Sequence, residues 1–185
     1  MNKENTLYLF QKYPKIFIGR YQPITQSLMP FGCECGDGWL TILDCLCGNI
    51  QHHVDSGRER RAWALKWNRK IKKAIATNTL RQFLEEQYKN YNHQHREEQI
   101  IKGLENPEAL LRDVPEKVYQ VVATQVKEKF GSLRFYHNGG DDYVYGVISM
   151  AESMSAHTCE DCGKPGLMRD SGWIRCLCDE HAKEN

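Results

Sequence analysis

Residues 158–182 read TCEDCGKPGLMRDSGWIRCLCDEHA, and the spacing of cysteine and histidine in this stretch decides how the C-terminal part folds. Cys159 and Cys162 are spaced C-x2-C, with Gly163 directly behind the second thiol, where a tight turn needs freedom from a Cβ. Cys178 and His181 repeat the x2 spacing. Two such pairs supply four tetrahedral ligands, the donor set of a structural zinc site. A Cys3His set is closed and leaves no position for water or substrate, so the expected cofactor is a structural rather than a catalytic Zn2+. Cys176 competes with Cys178 for the third position; the x2 spacing to His181 favours Cys178. Reduced cysteines without a metal are the plain alternative. The charges around the site are mixed (Glu160, Asp161, Lys164, Arg169, Asp170, Arg175, Asp179), so the segment has no strongly basic face for phosphate. Zinc here is expected to staple a stretch too short to build its own core.

Upstream of this knuckle, 119–126 is rich in β-branched residues, Lys129-Phe130-Gly131 reads as a turn, and Ser132 to Tyr136 (SLRFY) as a returning strand. Together they predict a β-hairpin. Asn138-Gly139-Gly140 breaks it, Asp141 or Asp142 caps a helix, and Val144, Val147, Ile148, Ala151 and Met154 give that helix a core-facing stripe. Lys127, Lys129 and Arg134 surround the hairpin turn and are candidate contacts for a small anionic or nucleotide ligand. Gly139 and Gly140 before a helix can present amides to an anion, but Asp141 and Asp142 oppose one there, so a break plus cap is the better reading.

Toward the N-terminus, a short helix over 7–13 ends at Pro14, and residues 15–32 read as irregular. Trp39, Ile42, Leu43, Leu46 and Ile50 recur at helical spacing and predict a helix from about Gly38 to Val54. Cys33, Cys35, Cys45 and Cys47 form a C-x-C…C-x-C pattern. On a helix, positions i and i+2 diverge by about 200°, so buried free thiols are favoured over a second metal site, although Cys35 with Cys47 stays open. Asp37, Asp44, Asp141 and Asp142 are acidic residues whose convergence on a divalent ion the sequence leaves undecided.

Residues 56–116 have a different character. Arg58, Arg60, Arg61, Lys66, Arg69, Lys70, Lys72 and Lys73 interleave with Trp63 and Trp67, a pattern that suits DNA or RNA, with cations on phosphate and aromatics stacking. The i, i+4 spacing of the tryptophans equally suits a core-facing stripe beneath a solvated cationic face. Thr77-Asn78-Thr79 marks a break, and Leu80, Phe83, Leu84, Tyr88 and Tyr91 restart an apolar face.

The 185 residues carry 25 Lys and Arg against 24 Asp and Glu, so global charge selects no partner. No apolar run reaches the roughly 20 residues that span a bilayer, and the N-terminus lacks the apolar stretch and cleavage site of a signal peptide. The expectation is a cytoplasmic protein with no membrane partner. No nucleophile elbow, phosphate loop, dinucleotide fingerprint or H-E-x-x-H occurs, and the reading leans away from an enzyme.

Three stretches together, CGDGWLTILDCLCGNIQ, VATQVKEKFGSLRFY with GGDDYV, and the terminal Cys/His segment, resemble a group of small, functionally uncharacterised zinc-binding proteins encoded by bacteriophages and prophages. The resemblance covers 31–50 and 121 to the C-terminus and fails between them, as at a variable insertion. It implies zinc ligands at Cys159, Cys162, Cys178 and His181, and includes Cys35, Asp37, Gly38, Trp39 and Cys47 in its pattern but not Cys33, Cys45 or Cys176. It also implies a phage or prophage origin and a bacterial host cell, and names no activity. The expected fold is α+β: an N-terminal helical part (1–55), a basic helical insertion (56–116), a β-hairpin with a packed helix (117–157) and a zinc knuckle (158–185). The leading functional expectation is a non-enzymatic binding protein that engages a host protein or nucleoprotein complex, for instance to inhibit a defence system. A small-anion binder and a DNA/RNA-binding protein are the alternatives.

Overall fold

The computed structural model describes residues 1–170 and 172–183; of the expected knuckle 158–185, positions 171, 184 and 185 lie outside the described residues. The chain mixes helix and strand and divides into two units, one formed by Met1–Asp55 with Val118–Asn185, the other by Ser56–Lys117.

The first unit begins with helix α1 (Lys3–Lys12). It starts earlier than the sequence pattern suggests because the Asn2 side chain accepts the Asn5 amide at 2.8 Å and caps it. A 3-10 segment, Ile16–Tyr21, leads to the short strand β1 (Cys33–Glu34). Helix α2 (Leu40–Ala76) follows. Strands β2 (Val122–Lys129) and β3 (Ser132–Asn138) are antiparallel, and β1 lies parallel on the other side of β2. Helix α5 (Asp142–Ser155) is capped by Asp141, whose carboxylate accepts the Val144 amide at 3.2 Å. Two α5 side chains cover the free edge of β3: Ser155 Oγ accepts the Leu133 amide at 2.8 Å and Glu152 accepts that of Phe135 at 3.0 Å. An edge covered in this way offers no unpaired amides there for another strand. Ile42, Leu43, Leu46, Ile50 and Val54 of α2 share one core with Leu9, Phe17, Val126, Phe135, Val144 and Ile148. Strands β4 (Leu167–Asp170) and β5 (Ile174–Leu177) form a second, two-stranded hairpin inside the Cys/His segment.

The hairpin turn between β2 and β3 has two residues at positive φ, Phe130 at 54° and Gly131 at 76°. This is the backbone of a type I′ loop, which matches the twist of the flanking strands. Gly131 is at ease there; Phe130, a bulky L-residue, is not.

The second unit contains the rest of α2 together with α3 (Leu80–Gln87) and α4 (His93–Glu105). Ile71, Ala74, Leu80, Leu84 and Ile100 form its core, with Trp67, Phe83, Tyr88, Leu110 and Leu111 packed around them. Gly103 permits close approach of α4, since a Cβ there would lie 2.8 Å from Leu84. Asn78, at φ 52°, ends α2 where the Thr-Asn-Thr break was expected. The sequence reading placed a helix end near Val54, whereas α2 runs through 55–57 unbroken for 37 residues. Asp-Ser-Gly contains no proline, and one interior glycine costs only about 1 kcal/mol, too little to end a helix that packs on both sides of it.

No helix among the described residues is long and apolar enough to cross a membrane.

Candidate metal centre

Cys159, Cys162, Cys178 and His181 converge, with all four ligand atoms within 4.8 Å of one another. The Cys162 and Cys178 sulfurs are 3.8 Å apart, and His181 Nδ1 lies 3.5 Å from Cys159 Sγ and 3.3 Å from Cys178 Sγ. An ion with bonds of about 2.3 Å to sulfur and about 2.0 Å to nitrogen at tetrahedral angles needs S···S edges of about 3.8 Å and S···N edges of about 3.5 Å. The group can hold a metal ion, and among the described residues it is the only cluster of three or more such side chains.

Local backbone builds the cluster. The Gly163 amide donates to the Cys159 carbonyl at 2.9 Å, and Gly163 at φ 76° reverses the chain behind Cys162. The Cys159 amide donates to the Lys164 carbonyl and the Glu160 amide to the Cys176 carbonyl, tying the Cys159–Cys162 turn to β5. Burial opposes the Cys159 thiolate, but backbone N–H groups of Cys178, Cys162 and Asp161 outweigh it and hold its pKa below the ordinary thiol value. For Cys178 the backbone N–H of His181 is the main cause of a lowered pKa. Both are predisposed to the thiolate form that binds metal.

Cys176 stands outside the cluster. Its buried thiol bonds to the Ala156 carbonyl at 3.3 Å, and burial raises its pKa. The choice between Cys176 and Cys178 therefore falls to Cys178 in this geometry.

The Cys/His segment sits in a socket made by Cys35-Gly36-Asp37-Gly38-Trp39. Glu160 is buried, accepts the Gly36 amide at 2.9 Å and is paired with Arg175 at 3.4 Å. The Gly38 amide donates to the Glu160 carbonyl at 2.8 Å, and the fully buried Trp39 donates its indole N–H to the Thr158 carbonyl at 2.8 Å. Both glycines are required by contact: a Cβ on Gly36 would fall 2.2 Å from the Glu160 carbonyl oxygen, and one on Gly38 would fall 2.2 Å from that of Cys159. The CGDGW stretch and the Cys/His stretch, far apart in sequence, are thus two halves of one structure.

Comparison with protein-family models, curated proteins and solved structures gives no match.

The remaining candidates are dispersed. Cys33, Cys35 and Cys47 are buried thiols in the main core; burial pushes Cys33 up to about 12 and raises Cys35 and Cys47 as well, while Cys45 is exposed. The four aspartates do not meet. Asp37 accepts from Asn2 and Asn5, Asp44 from Lys12 and Tyr13, and Asp141 is paired with His53 at 2.7 Å, while Asp142 is exposed in the first turn of α5. Lys127 and Lys129 border a cavity of about 440 Å3 with Phe130, Trp173 and Ile174. Arg134 lies opposite Lys127 in the β2–β3 register but outside the cavity lining; its guanidinium bonds to Ser132 Oγ and the Leu133 carbonyl and lies 3.8 Å from Glu152. In the second unit, Arg58, Arg60, Lys66, Arg69, Lys70 and Lys73 are exposed, whereas Arg61 turns to the Pro115 carbonyl. Trp67 packs and donates to the Leu110 carbonyl at 2.7 Å; Trp63 is 50% exposed, with Arg112 stacked over it at 4.3 Å.

Two residues escaped the sequence reading. Phe130 and Trp173 are 67% and 70% exposed on neighbouring turns. An aromatic at the tip of a turn is a weak signal on its own; the positive φ that marks Phe130 is visible only in the fold.

Proposed function

We propose that the protein is a non-enzymatic binding protein whose Cys159, Cys162, Cys178 and His181 hold one structural zinc, and that the metal-stapled unit presents Phe130 and Trp173 to a protein partner in a bacterial host cell. A donor set of three sulfurs and one imidazole nitrogen, all within 4.8 Å of one another, favours zinc over oxygen-seeking Mg2+ or Ca2+. All four positions are filled by protein side chains, which suits a staple and gives no open coordination site for chemistry.

The observation that carries the binding reading is Phe130. A bulky residue held at φ 54° with most of its surface in water costs stability and gains nothing from burial. Beside it Trp173 is equally exposed, with Met168 and Ile174 against Gly131 beneath. Rigid exposed aromatics are the residues that dominate protein–protein interfaces. β4 and β5 lie between Cys162 and Cys178 in sequence, so a metal that fixes the ends of this hairpin also fixes Trp173 at its turn. The phage-like sequence pattern supports a host factor as the partner, and interference with a defence complex is the form this takes.

The test is a nuclease-treated capture from bacterial lysate with the tagged wild type and with Phe130→Ser/Trp173→Ser. A protein captured by the wild type and lost from the double variant, with zinc content and melting temperature unchanged, is expected. Equal capture by both removes this surface from the account. A small anion at Lys127 and Lys129 is the second reading, favoured by the cavity they border; thermal stabilisation by a nucleotide, lost in Lys127→Ala/Lys129→Ala, would put it first.

A further inference from the structure

The second unit carries a feature that the zinc-stapled unit does not explain. Ser56–Lys117 holds 14 Lys and Arg against 9 Asp and Glu, while the rest of the chain holds 11 against 15. The excess is concentrated on α2, where Glu59 is the only acid between 56 and 84. On α3 the cations find carboxylates: Arg81 pairs with Glu85 and Glu97, and Lys89, just after it, with Glu86. Lys66, Arg69, Lys70 and Lys73 are exposed and make no ion pair or hydrogen bond among the described residues.

These four are spaced i, i+3, i+4, i+7, so they share one helix face. Trp63 stands three residues before Lys66 and seven before Lys70, at the head of the same stripe. Ile71 and Ala74 of the same helix are buried in the core of this unit, and Ala64 is buried as well. From Trp63 to Lys73 the stripe runs about 15 Å along the helix. At its head a cavity of about 650 Å3 opens, lined by Arg60, Trp63, Trp67, Tyr88 and Arg112. Trp63 and Trp67 are stacked with their ring centroids 6.0 Å apart, and the strap that carries Arg112 is fixed by Asn68, which bonds the Arg112 amide and carbonyl at 2.8 Å each.

We propose that this face binds single-stranded nucleic acid, with Lys66, Arg69, Lys70 and Lys73 on successive phosphates and a base stacked at Trp63 beside Arg112. A row of unpaired cations complements a polyanion. The half-exposed indole at its end turns the choice from duplex to single strand, because only unpaired bases offer a free π-face. This surface is independent of the Phe130–Trp173 reading and shares no residue with it.

Fluorescence anisotropy of the full, zinc-loaded chain with labelled dT15 and rU15, across a salt series, tests it. Four phosphate contacts predict log K against log salt with a slope of about −3. Lys66→Gln/Lys70→Gln should lower the slope magnitude by about 1.4. Trp63→Ala should weaken binding on the order of 10- to 100-fold with the slope kept, and a bound strand should quench wild-type tryptophan emission. Lys66 and Lys70 are exposed on a helix, so an unchanged melting temperature is expected for their double variant; Trp63→Ala gives up its contacts with Trp67 and Arg112, so its folding is checked by thermal melting before binding is compared. No binding at 50 mM salt, or wild-type affinity in both variants, overturns the proposal. Duplex DNA bound as tightly as dT15 with no effect of Trp63→Ala overturns it too, leaving a non-specific cationic surface. Retention of protein capture by the lysine and Trp63 variants keeps this outcome separate from that of the Phe130–Trp173 surface.

Discussion

At Cys176 the sulfur lies against the Ala156 carbonyl; at Cys178, two residues on, it lies 3.3 Å from His181 Nδ1. Cys178→Ser is therefore expected to lose bound zinc and Cys176→Ser to keep about one ion per chain, measured by metal analysis of the purified variants. The x2 spacing alone pointed to Cys178, and the reason it succeeded is geometric: a one-turn reach joins residue i to i+3. Asp44 was legible only as an acid. Burial works against its carboxylate, but bonds from Lys12 and Tyr13 prevail and hold its pKa below the ordinary aspartate value. The folded protein then binds this proton more weakly than the unfolded chain, so the group stabilises fully above the ordinary value, and the gain is lost as pH falls below that value and through the lowered folded one. Asp44→Asn is expected to cost about 1–2 kcal/mol at pH 7, with the gap to wild type narrowing in denaturant melts at pH 3. No local pattern couples residue 44 to 12 and 13, so the sequence was silent on it.

At the scale of elements, the CGDGW socket and the turn at Phe130 carry the argument. Gly38→Ala would drive a Cβ onto the Cys159 carbonyl, and is expected to destabilise by about 2–3 kcal/mol. Trp39→Phe leaves the Thr158 carbonyl without its donor, an expected loss of about 1–2 kcal/mol by thermal melting. Phe130→Gly acts in the opposite sense. It relieves the left-handed backbone and is expected to raise stability by about 1 kcal/mol while abolishing partner capture, a trade between stability and function. The β-branched run with its turn at Lys129-Phe130-Gly131 made the hairpin readable in advance, and the break at Asn138-Gly139-Gly140 followed by Asp141 or Asp142 as a cap did the same for α5. The socket was not readable as such, since its glycines are explained by carbonyls more than 120 residues away. The unbroken α2 was missed for a related reason: a change in surface chemistry from mixed to basic looked like a boundary, yet surface charge does not end a helix.

For the whole molecule, an acidic first unit carries the Cys/His cluster and the exposed aromatics, and a basic second unit carries a cationic face at Lys66, Arg69, Lys70 and Lys73 that makes no ion pair among the described residues. The near-neutral total hides this division, which the basic run within 56–116 already marked in the sequence. The central claim is that the Cys/His cluster is a closed zinc staple. Chelation should then lower the melting temperature, because zinc at 1,000 times its dissociation constant stabilises the folded chain by about 4 kcal/mol. Zinc K-edge X-ray absorption of the purified protein tests the claim most directly. Expected is one zinc per chain with three sulfurs at about 2.3 Å and one nitrogen at about 2.0 Å. A shell with fewer sulfurs and a water or other oxygen ligand, or protein that folds without any metal, would contradict it.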